Sequence, residues 1–402
     1  MLADRTASYP GTRQAMPTDL PTAIVIGGDV NGLGVARSLA RHGIPILMLD
    51  SDVGRPTMRS RYGRKMTLPG LSGDELIEAL YALRPQFKHK PVLFPTQEAG
   101  LATLSAHYSE IRNLYHLSLP PHEIVAAMLD KNLFQEQAEN LGFLVPRSLK
   151  LVRGGEMVGL EKLRYPCVIK PAAKDEAYAR NFAKAYRVQG PGEAASLWVK
   201  MELVIESAIV QEWIEGGDSD VYFCLQYRPI GGGPPISFCG RKTLQWPPLV
   251  GGTATCIPAL NPRHELIATT ESFFERVGFV GLCSMEYKFD HRDRNFYLVE
   301  PTAGRTDYQE EIAVLNGVNI PLAAYCDLTK ATSPAIFEQT PPRGWRDPFG
   351  HHNALAAGAK DPVFELMPGI KLADAYFRYD DPVPYLAARL GPILKKFERK
   401  PV

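Results

Sequence analysis

A short apolar run that enters a glycine-rich turn is the feature that most constrains the fold of this chain. The run Ala23-Ile24-Val25-Ile26 leads into a turn that spans Gly27 to Gly34 and then into an amphipathic helix. A second apolar run, Ile44 to Leu49, follows and ends at Asp50. Strand, glycine turn, helix and strand in this order are typical of the βαβ unit of parallel sheets. The pattern predicts a small doubly wound α/β domain over residues 22–120.

The length and the charge of the chain narrow its class. A chain of 402 residues is too long for one ordinary core and predicts two or three lobes. Its 45 basic residues are balanced by 44 acidic residues. Binding to nucleic acid usually requires a clustered basic excess, so no such function is expected.

Three further features predict a cytoplasmic protein. No stretch approaches the roughly 20 apolar residues that a membrane-spanning helix needs. The first 21 residues lack the apolar core of a signal peptide and are interpreted as a polar, flexible tail. The six cysteines form no Cys-x-x-Cys pair, and several lie in apolar runs, which favours buried free thiols over a metal site or disulfides.

Beyond residue 120 the pattern predicts a larger α/β unit. Pro120-Pro121 opens one helix whose apolar positions run from Ile124 to Leu133 at helical spacing. Short strands and glycine-rich turns follow as far as Asp220, then two longer strands, a helix over Glu265–Val277 and a hairpin that starts at Gly281. The proline-rich end of the chain is expected to form loops and one or two helices. The predicted division is a flexible tail at 1–21, an α/β domain at 22–120, a central domain at 121–330 with a small lobe at about 148–214, and a C-terminal extension at 331–402.

The hairpin places two glutamates opposite each other. Two strand-like runs flank the polar turn at residues 291–295. If the turn is centred on Asp293, Glu286 lies directly opposite Glu300 on one face. The other face pairs apolar residues: Tyr287 with Val299 and Phe289 with Tyr297.

Directly opposed carboxylates on neighbouring strands repel each other and need compensation. A bound Mg²⁺ ion supplies it, because Mg²⁺ takes one or two carboxylates together with substrate phosphates. The alternative is that both glutamates face water and that Lys288 and Arg305 neutralise them. We hypothesise a metal site at Glu286 and Glu300.

A lysine at the end of an apolar strand is the next candidate site residue. The run Tyr165-Pro-Cys-Val-Ile leads to Lys170-Pro171. A lysine there can simply reach solvent, or it can direct a point charge at phosphate oxygens. The polar segment at residues 172–181 that follows is typical of a loop that closes over phosphates. Lys131, taken alone, is an ordinary surface residue.

These segments, in this order, resemble the ATP-grasp superfamily, and most closely its predicted carboxylate–amine ligases, a group that includes D-aspartate ligase. The resemblance covers about residues 22–330. Each segment is weak alone, but five in the right order are specific. They are Asp130-Lys-Asn132, Pro166-Cys-Val-Ile-Lys-Pro171, Val210-Gln-Glu-Trp-Ile214 with Gly216-Gly-Asp-Ser-Asp220, Ser284-Met-Glu-Tyr-Lys288 and Val299-Glu-Pro-Thr-Ala-Gly-Arg305.

The resemblance assigns roles to the matching positions and implies a Rossmann-like amino-terminal domain followed by a two-lobed ATP-grasp domain. Lys131 and Lys170 resemble the two lysines that hold the nucleotide phosphates. Glu286 and Glu300 resemble the family's metal pair. The remaining nucleotide-binding positions are a hinge at Gln211, Glu212, Trp213 and Ile214, whose backbone at Glu212 and Ile214 pairs with the adenine edge, and an acid for the ribose hydroxyls at Asp218 or, less favourably, Asp220.

Three basic residues resemble those that stabilise transferred phosphoryl and acyl-phosphate oxygens. Arg241 and Lys242 end a strand, and Arg305 follows the second metal glutamate and can also grip a substrate carboxylate. The alternative for all three is solvation or pairing with Asp307 and Glu310. The chain departs from the family at Thr302, where many members have asparagine, so one Mg²⁺ is better supported than two.

The implied activity is an ATP-dependent ligase that forms an amide through an acyl phosphate and releases ADP and phosphate. Such chemistry needs positioning and charge stabilisation rather than a protein nucleophile, which agrees with a chain that offers lysines, arginines and carboxylates. The expected partners are a small carboxylate and an amine, with an amino acid or small peptide favoured, and a homodimer is possible. The amino-terminal domain and the C-terminal extension are expected to line the acceptor site.

Three alternatives stay open. The glycine turn and Asp50 also fit an NAD-dependent dehydrogenase, although the glycine spacing departs from Gly-x-Gly-x-x-Gly. Thr302 is the support for a nucleotide-binding protein that has lost catalysis. A biotin-carboxylase-like or purine-pathway enzyme keeps the fold and differs in the acceptor. The glycine turn can also hold an anionic substrate group at its helix amino terminus.

Overall fold

A computed structural model describes residues 19–172, 176–183, 185–332 and 341–398. Its amino-terminal part is a four-stranded parallel sheet in the order β3-β2-β1-β4, with helices on both faces. This confirms the predicted α/β unit. The elements are β1 (Ala23–Ile26), α1 (Val30–Ala40), β2 (Ile46–Asp50), β3 (Arg64–Thr67), α2 (Gly73–Leu83), β4 (Val92–Pro95), α3 (Glu98–Ala106) and α4 (Tyr108–Leu114).

The glycine turn is closed by Asp50. The buried carboxylate of Asp50 accepts hydrogen bonds from the amide of Gly28 at 2.5 Å and from the amide of Asp52 at 2.8 Å. A Cβ atom on Gly32 would lie 2.2 Å from the carbonyl oxygen of Gly27, so only glycine fits there. Strand β2 begins at Ile46 rather than at Ile44, because the amide of Ile44 still donates to Leu39 at the end of α1.

The helix predicted from Pro120-Pro121 to beyond Leu133 is in fact two helices, α5 (His122–Leu129) and α6 (Lys131–Asn140). Asp130 separates them with an extended backbone, and its carboxylate accepts from the amides of Asn132 and Leu133. Helical spacing cannot reveal such a break, because Asp130 satisfies the new amino terminus locally. The break makes Lys131 the first residue of α6, and Leu133 is exposed.

A second, antiparallel sheet follows in the order β5-β8-β6-β7. One of its helices begins at Gly190-Pro191 and was missed among the expected strands and turns. Proline at the first helical position is a known start signal. The elements are β5 (Ser148–Val152), β6 (Cys167–Pro171), α7 (Glu176–Asn181), β7 (Tyr186–Val188), α8 (Pro191–Met201) and β8 (Ser207–Glu212).

The largest sheet has seven strands in the order β13-β12-β9-β10-β11-β14-β15. One face packs on α5, α6 and α9. The other face packs on α10 and α11, which share a core with β1 and α1. The elements are β9 (Val221–Arg228), β10 (Ile236–Trp246), β11 (Gly252–Pro258), α9 (Arg263–Arg276), β12 (Gly281–Asp290), β13 (Asn295–Ala303), α10 (Glu311–Leu315), α11 (Ile320–Thr329), β14 (Arg343–Arg346), α12 (Pro348–Ala356), α13 (Val363–Leu366), β15 (Lys371–Asp374) and α14 (Val383–Glu398).

The hairpin β12–β13 agrees with the predicted register in its inner half and departs from it in its outer half. Glu286 lies opposite Glu300, as expected. Beyond this pair the register shifts by one residue, so that Tyr287 faces Leu298 rather than Val299. The shift also sets Phe289 opposite Phe296 instead of Tyr297. The extra residue, Val299, is a β-bulge, which a turn-centred count along the sequence cannot show.

The C-terminal extension contributes to the largest sheet and is not only loops and helices. Strand β14 pairs with β11 and is followed by the parallel β15. The extension is held to helix α1 by a buried ion pair between Arg37 and Asp381, with Nε to Oδ2 at 3.0 Å. Asp381 also accepts from the hydroxyl of Ser60 at 2.7 Å and from the amide of Arg61 at 2.8 Å. No helix in the described residues is long and apolar enough to cross a membrane.

We expect Asp381→Ala to lower the free energy of unfolding by about 3–5 kcal/mol, because it leaves the buried Arg37 guanidinium without its counter-ion. The control is the neighbouring Asp380→Ala, which removes an exposed pair with Arg41 and should cost less than about 1 kcal/mol. Thermal midpoints of the two variants measure the difference. Equal losses would show that the buried pair does not hold the extension in place.

Candidate active site

A cavity of about 1130 Å³ lies between the small antiparallel sheet, the largest sheet and helix α3. Its wall is rich in charged side chains of both signs, which come from segments far apart in the sequence. They are Glu98, Lys131, Lys170, Glu212, Lys242, Glu286, Lys288, Glu300, Arg305 and Asp307.

The opposed glutamates form the charged centre of the wall, and each is neutralised by a lysine. Glu286 accepts from Nζ of Lys242 at 2.5 Å, and Glu300 accepts from Nζ of Lys131 at 2.8 Å. Burial alone would lower the pKa of Lys131, but the ion pair with Glu300 and the nearby charges of Glu98 and Asp130 together raise it.

The alternative neutralisers expected from the sequence have other partners. Lys288 donates to the carbonyl oxygen of Gly217 at 2.6 Å, and burial lowers its pKa. Arg305 lies 4.0 Å from Glu98. The compensation for the glutamate pair therefore comes from β10 and α6 rather than from Lys288 and Arg305.

Lys170 enters the cavity at the end of β6, on the side opposite the glutamates. Its Nζ donates to Oε1 of Gln211 at 3.1 Å, and Gln211 in turn donates to Gln135 at 3.0 Å. Lys131 and Lys170 thus lie on the same cavity, one from α6 and one from the small sheet. Residues 173–175, part of the segment expected to close over phosphates, lie outside the described residues.

The predicted hinge, Gln211 to Ile214, lines the cavity throughout. The amide of Glu212 is engaged by the carbonyl oxygen of Arg147 at 2.8 Å, and the amide of Trp213 by that of Pro166 at 3.0 Å. The Glu212 amide is therefore not free to pair with a base, and the amide of Ile214 remains the candidate donor at this position.

Neither acid predicted to hold ribose lines the cavity. The buried carboxylate of Asp218 accepts from the amide and the side chain of Gln245 at 2.8 and 3.0 Å and from the amide of Leu249 at 2.7 Å. Asp220 accepts from the amide of Gly217 and from His291, both at 2.9 Å. Asp218 instead anchors the loop around Leu249, which itself lines the cavity.

Arg241 and Lys242, predicted to act together, point in opposite directions. Adjacent residues of a strand face opposite sides of the sheet. Lys242 is on the cavity wall, whereas Arg241 donates to the carbonyl oxygen of Ser219 and packs over the ring of Tyr222, 5.0 Å from its centroid. Lys242 therefore lines the cavity, whereas Arg241 does not.

Arg305 reaches the cavity beside Glu98, a residue that the sequence analysis missed. Its Nε is buried without a hydrogen-bond partner among the described residues, and its Nη1 donates to the carbonyl oxygen of Thr306 at 3.1 Å. Glu98 is the first residue of helix α3 in the amino-terminal α/β unit. Its position directly after β4 was the signal available in the sequence, since functional side chains often follow the carboxyl ends of parallel strands.

Asp307 is the second missed residue. Its Oδ2 accepts from the hydroxyl of Ser284 at 2.9 Å and from Nε2 of Gln309 at 3.2 Å, and its Oδ1 accepts from the amide of Tyr308 at 2.8 Å. Gln309 also accepts from the hydroxyl of Thr253 at 3.1 Å. Within the described chain, Asp307 and Glu310 form no ion pair with the three predicted basic residues, which was the alternative for those residues.

The two peripheral parts of the chain contribute unequally to the wall. Helix α3 supplies Glu98, Ala99 and Ala102, but the glycine turn does not line the cavity. No described residue of the C-terminal extension lines it either, although Asp347 supports the wall by accepting from the hydroxyl of Tyr308 at 3.1 Å.

The donor set fits one divalent cation. Two carboxylates lie opposite each other on the wall, and no described group of three or more acidic, histidine or cysteine residues is placed to hold a metal by itself. Mg²⁺ suits such a site, because it takes one or two carboxylates and completes its shell with phosphate oxygens and water.

Comparison with known proteins agrees with this geometry. No protein-family model matches the sequence. Over 316 residues the chain is 25% identical to D-aspartate ligase from Enterococcus faecium (strain Aus0004), which covers 74% of each protein. The chain is therefore similar in sequence to a carboxylate–amine ligase, as the motifs predicted.

Solved structures show the same ATP-grasp fold. N5-carboxyaminoimidazole ribonucleotide synthetase in complex with ADP superposes with a TM-score of 0.62 at 13% identity, over 79% of this chain and 80% of that one. Biotin carboxylase from Campylobacter jejuni, in a β-γ-ATP complex, superposes with a TM-score of 0.60 at 15% identity, over 79% of this chain and 72% of that one. The biotin carboxylase domain of a 2-oxoglutarate carboxylase from Hydrogenobacter thermophilus, in complex with magnesium ADP, superposes with a TM-score of 0.62 at 12% identity, over 80% of this chain and 72% of that one.

The amino-terminal structure argues against the dehydrogenase alternative. A dinucleotide site needs free backbone amides at the glycine turn and an acid that reaches a ribose. Here the amide of Gly28 is bound by Asp50, and Asp50 is itself buried. The helix amino terminus at Val30 does not line the cavity, so the binding of an anionic substrate group there stays a prediction.

Glu310, next to the site, gives a prediction about pH. Burial, aided by the charge of Asp307, raises the pKa of Glu310 to about 8, from an ordinary 4.5. The folded protein therefore binds one more proton than the unfolded chain between these two values, so the free energy of unfolding falls as pH rises from about 4.5 to 8. We expect Glu310→Gln to remove that fall, which is about 2–5 kcal/mol.

Denaturation midpoints at pH 5.5 and 8.5 measure the effect. The control is Glu275→Gln on the exposed face of α9, which should keep the wild-type dependence. Parallel profiles for wild type and Glu310→Gln would mean that Glu310 is already ionised in the folded protein.

Proposed function

We propose that this chain is an ATP-dependent carboxylate–amine ligase that works through an acyl phosphate. The observation that carries the proposal is the charged wall of the cavity, where Lys131 and Lys170 face a shared space with the acidic pair Glu286 and Glu300. This set fits a nucleotide polyphosphate with one divalent cation. The likeness to ATP-grasp proteins solved with ADP and magnesium ADP supports the same ligand.

The nucleotide base is proposed to bind at the hinge. The hinge spans the end of β8 and the two residues after it. Trp213 lies in the same wall, with its indole covered by Arg187 at 5.3 Å. The amide of Ile214 and the carbonyl groups of this segment would meet the adenine edge. Asp218 and Asp220 take no part, because their carboxylates are engaged within the protein.

The phosphates are proposed to lie between Lys170 and the acidic pair. Mg²⁺ held by Glu286 and Glu300 would neutralise the charge on the phosphate oxygens. Lys131 and Lys242, which otherwise neutralise the glutamates, would then be free to turn toward phosphate oxygens. Their place beside the pair keeps positive charge near the phosphoryl group during transfer.

Arg305 is proposed to hold the carboxylate that is activated. Its guanidinium is fixed by Thr306 and Glu98 and keeps a buried Nε that has no partner in the described chain. A carboxylate fits a guanidinium in a bidentate manner. ATP phosphorylates this carboxylate because an oxide anion is a very poor leaving group, whereas phosphate leaves readily once an amine attacks.

The acid substrate is proposed to be a small amino acid. D-Aspartate is the first compound to test, because the chain is similar in sequence to D-aspartate ligase. The alternative is a nucleotide-binding protein without catalysis, for which Thr302 is the argument. Thr302 lines the cavity opposite Ser284, so a hydroxyl stands where the family often has an amide.

We expect magnesium ADP to raise the thermal midpoint of the wild type by several degrees, because a ligand at a hundredfold its dissociation constant adds about 2.7 kcal/mol. Lys170→Ala should lose most of this rise, since it removes a phosphate contact. The matched control is Lys150→Ala on exposed β5 of the same sheet, which should keep the rise. Equal rises in all three proteins would place the nucleotide elsewhere.

We expect the wild type, with magnesium ATP, hydroxylamine and D-aspartate or another small acid, to form ADP and a hydroxamate in equal amounts. Lys242→Met should lower this rate by about 10²–10³-fold, because it removes a charge beside the transferred phosphoryl group. Arg241→Met should lower it less than tenfold, because Arg241 faces away from the cavity. ADP without hydroxamate from any acid in the panel would contradict the acyl phosphate.

A further inference from the structure

The carboxylates on the cavity wall differ in whether a cation already neutralises them. Four have an arginine or lysine within 4.0 Å: Glu98 with Arg305 at 4.0 Å, Glu212 with Arg164 at 3.7 Å, Glu286 with Lys242 at 2.5 Å and Glu300 with Lys131 at 2.8 Å. Asp307 has none in the part of the chain that the structure describes. Its partners are a hydroxyl, a side-chain amide and a backbone amide.

The neutral partners of Asp307 fix its position without cancelling its charge. Ser284 and Gln309 both donate to Oδ2, and the amide of Tyr308 donates to Oδ1. Gln309 is itself held by Thr253 at the start of β11. A carboxylate that is held in this way, and that lines a cavity, is a ready counter-ion for a cation that comes from outside the protein.

Asp307 also lies close to the place where the acyl group would form. Ser284 and Glu286 are two residues apart on β12, so their side chains project from the same face of the sheet, about 7 Å apart along the strand. The carboxylate of Asp307, hydrogen-bonded to Ser284, is therefore one strand repeat from the acidic pair. That spacing leaves room for a substrate carboxyl group between Asp307 and the phosphates.

We propose that Asp307 binds the protonated amino group of the amine substrate. The inference rests on the proposed ligase function and adds the residue and the charge state by which the second substrate is recognised. The ammonium group donates to the Asp307 carboxylate and loses one proton to it before attack. The nitrogen then bonds to the acyl carbon, the bond from that carbon to the phosphate oxygen breaks, and its electron pair leaves with phosphate, which takes the second proton.

The test measures binding of simple amines to wild type and Asp307→Asn, both saturated with magnesium ADP near neutral pH. The probes are glycinamide, methylamine and 1,5-diaminopentane, with glycolamide as the uncharged analogue of glycinamide. Loss of a charged hydrogen bond should weaken binding of the best cationic probe by about 10- to 100-fold. Asp293→Asn in the exposed turn of the hairpin is the matched control and should bind like the wild type.

The outcomes are distinct. Binding of a cationic probe to the wild type, its loss in Asp307→Asn and weak binding of glycolamide support the proposal. Equal affinity of wild type and variant, equal affinity for glycinamide and glycolamide, or no binding of any probe to the wild type overturns it. If Asp307→Asn does not fold, Asp307→Glu keeps the charge but displaces it, and should give an intermediate loss.

The hydroxamate reaction separates this inference from the proposed function. Hydroxylamine is largely uncharged near neutral pH and needs no counter-ion, so Asp307→Asn should lower hydroxamate formation by a smaller factor than it lowers the affinity for the cationic amine. Equal loss of both would assign Asp307 to the general structure of the site and overturn a specific role with the amine. No hydroxamate in the wild type, with amine binding still dependent on Asp307, would reject the ligase but keep the ammonium site.

Discussion

Two carboxylates that face each other across neighbouring strands are the constraint around which the site is built. Glu286 and Glu300 would repel each other, and each is instead paired with a lysine, Lys242 from β10 or Lys131 from α6. The pairing ties a strand and a helix to the hairpin. It also gathers positive charge beside the glutamates, which is the arrangement that a magnesium polyphosphate requires.

The rest of the molecule holds this centre in place from a distance. Helix α3 of the amino-terminal unit places Glu98 in the cavity beside Arg305. Helix α1 of the same unit shares a core with one face of the largest sheet. The C-terminal extension does not reach the cavity within the described chain, but Asp347 fixes Tyr308, the residue after Asp307. A buried ion pair between Arg37 and Asp381 holds the extension to helix α1. The parts far from the site therefore act by positioning its wall.

The predictions from sequence differ from the structure where the outcome depends on the direction of one side chain or on one extra residue in a strand. Arg241 and Lys242 look equivalent in sequence, yet the alternation of a strand places only Lys242 on the cavity. Asp218 looked like a ligand for ribose, but its carboxylate is engaged by Gln245 and Leu249. The bulge at Val299 shifted half of the hairpin register while leaving the glutamate pair intact.

The sequence by itself determined the α/β class, the succession of the main strands along the chain, the opposed glutamates, and the positions of Lys131 on a helix and of Lys170 at a strand end. These features depend on local periodicity, on turn residues and on pairing across a short hairpin, all of which are written in neighbouring residues. Only the tertiary structure decided which cation meets which carboxylate, and that Asp307 has no such cation among the described residues. Such pairings join residues that are not neighbours in the sequence, from Lys242 and Glu286, 44 positions apart, to Lys131 and Glu300, 169 positions apart. They depend on side-chain direction and distance, which a linear pattern does not contain.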